Sequence, residues 1–208
     1  MKTSVDVILK EHDLELLEED YDRISIFIDD AKKLNRICSR LNKLTNGIIL
    51  RAISSEEFEK KSCSDVLTIS FPGTIKAEYL DLIKWTKSGQ LDDARKAGVN
   101  LAKKSKNGKI LVCATLQKFS EELMKGYLLR RYEFSNYKTI EDKGVGSVTL
   151  MLKRPKDFEK SLSETKAIVD GVFFTRNLVN EPANILNTVE FANRLNSLFY
   201  GIIFLITI

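Results

Sequence analysis

Side chains able to do chemistry are sparse in this sequence. There is one histidine, His12, in an acidic segment that runs from Glu11 to Asp22. A Ser–His–Asp relay needs a histidine held between two partners, and a multi-histidine metal site needs several, so both are excluded and His12 reads as a surface residue. Cys38, Cys63 and Cys113 are odd in number and lack metal-ligand spacing. They read as reduced, mostly buried thiols, which points to a cytoplasmic protein. The carboxylate pairs Asp92–Asp93 and Glu121–Glu122 are sequence neighbours, which point in different directions on a helix, so solvated helix faces are expected rather than a shared acid–base site. Asp29–Asp30 closes a β-rich run, where α/β proteins often place ligands, although turn chemistry is the favoured reading. Lys143-Gly144-Val145-Gly146-Ser147 contains a Gly-x-Gly, but it precedes a strand instead of opening a helix after one. It reads as a loop and not as a dinucleotide or phosphate fingerprint.

Two stretches are denser. Gly126 to Thr139, GYLLRRYEFSNYKT, interleaves Tyr127, Tyr132, Phe134 and Tyr137 with Arg130, Arg131 and Lys138. Such a mixture can stack on nucleobases, or it can bury its rings while the charged ends reach water. Helical spacing pairs Tyr127 with Arg131, and this favours packing. The other stretch is Glu164 to Asn187, ETKAIVDGVFFTRNLVNEPANILN. Ile168, Val169, Val172, Phe173, Leu178 and Val179 recur at helical spacing and predict a broad apolar stripe. Ser163 is the expected N-cap. Pro182 disfavours helical geometry at Glu181, so the helix is expected to end there. Asn180, Glu181 and Asn184 then gather around that one proline.

The elements that must carry these stretches follow from periodicity. Strands are expected at residues 5–10, Ile24–Ile28, Asp65–Phe71, Lys109–Ala114 and Ser147–Leu152, and Tyr79–Trp85 is a further short apolar run. Helices are expected over Ala31–Leu44, over Leu91–Lys104 with Leu91, Ala94, Ala97, Gly98 and Leu101 inward, and over Phe119–Tyr132 with Leu123, Tyr127 and Leu128 inward. Ile48–Ile53 is ambiguous on periodicity alone. Strands alternating with helices predict an α/β protein with layers around a mostly parallel sheet.

An apolar fraction of 43% with 30% charged residues is that of a folded globular chain. A net charge of +4 is too weak, and the basic residues at 103–109 and 153–160 too interrupted, to suggest a nucleic-acid footprint. The N-terminus has no signal-peptide core. Leu198–Ile208, LFYGIIFLITI, is 11 residues long, short of the ~20 needed to span a bilayer as a helix. A buried strand or a non-native tail is expected there rather than a membrane anchor.

The two dense stretches, in this order, resemble the cytosol (leucyl) aminopeptidase family. Gly126, Leu129, Arg130, Tyr132, Phe134, Tyr137, Lys138 and Thr139 match a pattern near the end of that family's N-terminal domain. The run from Gly171 to Asn184, which includes Arg176, Asn177, Asn180, Glu181 and Pro182, matches the segment that joins that domain to the catalytic one. Weaker similarity reaches back to about residue 45. The resemblance implies a three-layer, macro-domain-like mixed sheet flanked by helices, followed by a long linker helix. It implies a family domain over 1–160 with a role in oligomer assembly, a linker helix with the Asn-Glu-Pro-Ala-Asn segment over 161–187, and the start of a catalytic domain over 188–208. It also implies a helix at Gly47–Ile53, and it marks Leu80-Asp81-Leu82-Ile83-Lys84-Trp85 as more polar than is usual for its strand.

The family removes N-terminal residues from peptides with two divalent metal ions, zinc or manganese. Its metal ligands and its catalytic lysine and arginine lie downstream of the segment matched here, so no catalytic or metal-binding residue carries over to this sequence and no cofactor is expected in it. The expected protein is therefore a truncated, inactive N-terminal part. It would self-associate or assemble with a full-length relative, and its exposed apolar helix and tail would favour association. A stand-alone module that binds DNA or a nucleotide-like ligand is the alternative.

Overall fold

The computed structural model describes residues 5–29, 34–105, 108–114, 117–134, 137 and 146–206, with side chains at all of these except 117 and 199–206. Asp30, Lys138, Thr139 and the Lys143–Val145 part of the Gly-x-Gly loop lie outside the described residues.

The strands are β1 (Asp6–Glu11), β2 (Arg23–Asp29), β3 (Val66–Ser70), β4 (Tyr79–Trp85), β5 (Lys109–Cys113) and β6 (Ser147–Leu152). They form one six-stranded sheet in the order β1-β6-β5-β2-β4-β3. All neighbours are parallel except β3 on β4, so the sheet is mixed. β5 sits between β6 and β2, which explains the unbroken apolarity of Ile110 to Cys113: a central parallel strand is buried on both faces.

The helices are α1 (Arg36–Leu44), α2 (Ile48–Ile53), α3 (Glu56–Glu59), α4 (Leu91–Lys104), α5 (Ser120–Arg130), α6 (Pro155–Asn180) and α7 (Thr188–Ile206). α1 to α3 cover one face of the sheet, where Ile37, Leu41, Ile49, Ile53 and Phe58 meet Ile24, Ile26, Leu80 and Leu82. α4 to α6 cover the other, where Ala97, Leu101, Leu123, Tyr127, Phe158 and Val169 meet Ile83, Val112, Val148 and Leu150. Alternate residues of the inner strands supply the two cores, as a pleated sheet requires, whereas edge strand β1 supplies only the α4–α6 side.

Several expectations are corrected by this packing. The long helix begins at Pro155, a proline at the first helical turn, so Ser163 lies inside it and is not its N-cap. Its buried stripe is Phe158, Leu162, Thr165, Val169 and Phe173; Ile168, Val172 and Val179 face outward. The helix does end at Asn180, before Pro182. Leu91 is exposed because it opens α4 before that helix reaches the core. The Leu198 segment continues a helix instead of forming a strand. Among the described residues, no helix is long and apolar enough to cross a membrane.

Candidate functional site: a clasp between two motifs

The Gly126–Thr139 stretch is positioned by an unusually close helix pair. A Cβ on Gly98 of α4 would lie 1.9 Å from the Leu123 carbonyl oxygen, and one on Gly126 of α5 would lie 2.1 Å from that of Arg95. Two glycines thus let the backbones touch and fix where α5 ends. At that end the Arg131 guanidinium donates to the Ser105 carbonyl at 2.6 Å, and the Tyr127 hydroxyl lies 3.3 Å from the Ser105 hydroxyl. Burial pushes the Tyr127 phenol above its ordinary pKa.

Just beyond α5, Tyr132 lies against α6. The Tyr132 ring packs on Phe173 with centroids 5.2 Å apart, and the Arg176 guanidinium lies over the ring, 4.4 Å from its centroid. The Tyr132 hydroxyl donates to Asn177 Oδ1 at 3.0 Å and accepts from Asn180 Nδ2 at 2.9 Å. Phe173, Arg176, Asn177 and Asn180 are spaced three or four apart, so one helix face presents them all to a single ring.

A further layer closes the corner after α6. The rings of Phe134 and Tyr137 are 5.9 Å apart, and the Tyr137 hydroxyl donates to Glu181 Oε2. The other oxygen, Glu181 Oε1, accepts from Arg194 Nη1 of α7 at 3.1 Å, and Arg194 Nε also bonds Glu190 at 2.8 Å. The hydrogen bond to Glu181 raises the Tyr137 phenol above its ordinary pKa, because the charged acceptor holds its proton. Hydrogen bonds to Glu190 and Glu181 raise Arg194 likewise. The side chain of Glu181 is only 4% exposed, although Pro182, Ala183, Asn184 and Ile185 beside it are exposed.

Thus Tyr132, Phe134, Tyr137, Arg176, Asn177, Asn180 and Glu181 come together. Arg130 and Asn184 are exposed, and Pro182 contributes its carbonyl, which accepts from the amides of Ile185 and Leu186 at 2.9 Å. Sequence reasoning missed Arg194; its spacing of four from Glu190 was the available signal.

The remaining chemistry candidates are dispersed. His12 and Asp29 are exposed. Glu122 is not a solvated helix residue as expected: its side chain is 13% exposed and is bonded by Arg95 and Lys125. Partial burial opposes its ionisation, but the hydrogen bonds from Lys125 and Arg95 prevail and hold its carboxyl below the ordinary value. Near the carboxyl ends of β2 and β4, Trp85 meets Phe27 edge-on at 5.7 Å and Phe119 at 4.9 Å, filling that side of the sheet with rings. A cleft of about 440 Å³ beside α4 is lined by Cys63, Asp65, Arg95, Lys96, Asn100 and Lys103, among others. Among the described residues, no three His, Cys, Asp or Glu side chains converge on a metal-sized space, so they do not fit a two-metal centre.

The sheet order and helix layers define a macro-domain-like α/β protein. A solved macrodomain of Trypanosoma brucei in complex with ADP superposes with a TM-score of 0.54 at 10% identity, over 77% of this chain and 68% of that one, which is a likeness of fold. A mutant of tomato leucine aminopeptidase superposes better, with a TM-score of 0.73 at 19% identity, over 93% of this chain and 41% of that one. No family model matches the sequence. A probable cytosol aminopeptidase of Dinoroseobacter shibae is 35% identical over 187 residues, covering 89% of this chain and 38% of the relative. One of Cereibacter sphaeroides is 34% identical over 196 residues, covering 94% and 40%. The chain belongs to the cytosol aminopeptidase family and corresponds to its N-terminal part. It spans about two fifths of the length of the curated relatives it matches.

Proposed function

We propose that this chain acts as the N-terminal, non-catalytic part of a cytosol aminopeptidase, a cytoplasmic module that supports assembly and hydrolyses no peptide by itself. The observation that carries the reading is the clasp. The described residues of the two stretches that match the family are built into one joint between the sheet domain and the end of α6, where their side chains bond one another. Residues 1–160 would be the folded body, 161–187 the linker, and 188–208 the beginning of a following unit. Zinc or manganese would belong to the family's catalytic part.

Leucine p-nitroanilide hydrolysis by the purified chain, with manganese or zinc added, tests the absence of catalysis. Release at the level of the empty buffer is expected, and substantial metal-dependent release would overturn the proposal. Assembly is tested by co-expressing the chain with a full-length aminopeptidase and measuring the mass of the purified complex. Co-purification at a fixed ratio is expected, and separate elution at micromolar concentration counts against it.

Among the described residues of the Gly126–Thr139 stretch, Tyr132 is engaged by Phe173 and Arg176, Tyr137 by Glu181, and Arg131 by the Ser105 carbonyl, which argues against the nucleic-acid alternative. Salt-dependent retention on duplex DNA would revive it.

A further inference from the structure

We infer that Glu181 is a two-sided latch that sets the angle between α6 and α7, and so aims whatever follows α6 relative to the sheet domain. This goes beyond the assembly reading and does not depend on it.

The chain must turn after Asn180, because Glu181 is extended at φ −67°, ψ 137° and Pro182 bars helical continuation. A turn by itself fixes little. The residues from Pro182 to Ile185 are exposed, and among the described residues α7 packs extensively on no other element. Holding α7 in one direction therefore requires specific contacts at the corner, and Glu181 supplies them in two directions. Its Oε2 is held by Tyr137, whose ring meets that of Phe134 at a tilt. Its Oε1 is held by Arg194, two turns into α7. One carboxylate thus ties the body of the domain to α7 through the corner, with the guanidinium also tied to Glu190.

The charges make the link selective. Arg194 meets two carboxylates, Glu181 and Glu190, and charge-assisted hydrogen bonds are the stronger kind. Glu181 is close to fully covered, so this pair is screened less than the exposed pairs on the helix surfaces. Below the latch, the Tyr132 cluster fixes the last two turns of α6 independently, through Asn177 and Asn180. Loss of the latch therefore frees α7 while α6 stays docked.

The test is an intrachain distance measurement. In a Cys63→Ser background, nitroxide labels are placed at Ser163→Cys on α6 and Ser197→Cys on α7, both exposed positions. Cys38 and Cys113 are buried and stay unlabelled. Labelled chain is diluted with unlabelled chain so that only distances within one molecule are read. The parent should give one narrow distance distribution. Glu181→Ala, and the pair Tyr137→Phe with Arg194→Met, should broaden it severalfold. Glu181→Gln, which keeps an acceptor for Tyr137 and loses the charge facing Arg194, should fall between. Circular-dichroism melting should move by no more than about 4 °C, because Glu181 lies outside both cores. An unchanged distribution in Glu181→Ala, a broad one in the parent, or unfolding of the sheet domain in all three variants would each overturn the latch.

Discussion

Arg23 and Asp81 face each other inside the sheet, on adjacent strands β2 and β4, with one guanidinium nitrogen 2.8 Å from each carboxylate oxygen. Their side chains are 9% and 0% exposed. The remaining valences of the carboxylate are met by Thr68 at 2.7 Å and Ser25 at 3.3 Å, and the guanidinium also lies 4.4 Å over the ring of Tyr79. Removing one member strands a buried charge, so Asp81→Asn or Arg23→Met should cost about 3–5 kcal/mol in urea unfolding. The double replacement Arg23→Met with Asp81→Leu should cost much less than the two singles added, because no charge is left unpaired. Additive losses would show that the two residues do not act as a pair.

That pair also marks where sequence reasoning stopped. Most strands, the helices α4 and α5, the two-sided burial of β5 and the end of α6 before Pro182 follow from local pattern. The helix at Ile48–Ile53 was implied only by the resemblance, and the helical course of the Leu198 segment was not legible. The polarity of Leu80–Trp85 could only be noted, because the partner that neutralises Asp81 lies 58 residues away in sequence. Lys84, the other polar residue there, is half-buried and leans out to the Glu59 carbonyl at 2.9 Å. The clasp was half legible. Family motifs picked out Tyr132, Asn177 and Glu181, but only the fold shows that Tyr137 and Arg194 converge on one carboxylate. The outward turn of Ile168 and Val172 was not legible, since periodicity gives the spacing of a stripe and not the width of the surface that receives it.

The close approach of α4 and α5 predicts intolerance at two glycines that helix propensity would favour replacing. Alanine in an exposed helix interior normally gains up to about 1 kcal/mol over glycine. At Gly98 and Gly126 the added methyl meets backbone oxygen at 1.9 and 2.1 Å, and backbone cannot swing aside as a side chain can. Gly98→Ala and Gly126→Ala should therefore each destabilise by about 2–3 kcal/mol or more. Gly171→Ala on α6, where a Cβ meets nothing within 4 Å, should instead be neutral or stabilising. Thermal melts of the three variants separate crowding from propensity.

The thiols predict an alkaline limit to stability. Burial pushes the Cys38 thiol up to about 12 and raises Cys113 further. In the unfolded chain both ionise near the ordinary value of 9.0. Between these limits the unfolded state binds fewer protons than the folded one, so stability is intact below about pH 9 and falls as pH rises beyond it. Urea midpoints should decline from pH 9 to 11, and Cys113→Ala should reduce the slope. In the native protein iodoacetamide should label Cys63, which is half-exposed, while Cys38 and Cys113 react only after unfolding. Rapid native labelling of Cys38 would contradict this assignment of burial.

Tyr132 concentrates ring packing and hydrogen bonding at one point, and two substitutions separate these contributions. Tyr132→Phe keeps the ring against Phe173 and under Arg176 but removes both hydroxyl contacts. Asn177 is half-buried and Asn180 exposed, so water can replace the lost partner and the cost should be about 1 kcal/mol. Tyr132→Ala removes the ring as well, and since the residue is only half-buried the cost should be about 2–3 kcal/mol, below that of a fully buried aromatic. The location of the effect matters more than its size. Amide exchange in Tyr132→Phe should quicken from Phe173 to Asn180 and stay unchanged in β5 and β6, because local opening at the end of α6 does not expose the sheet. Uniform acceleration through the central strands would mean that Tyr132 supports the core in general and does not specifically hold α6 in place.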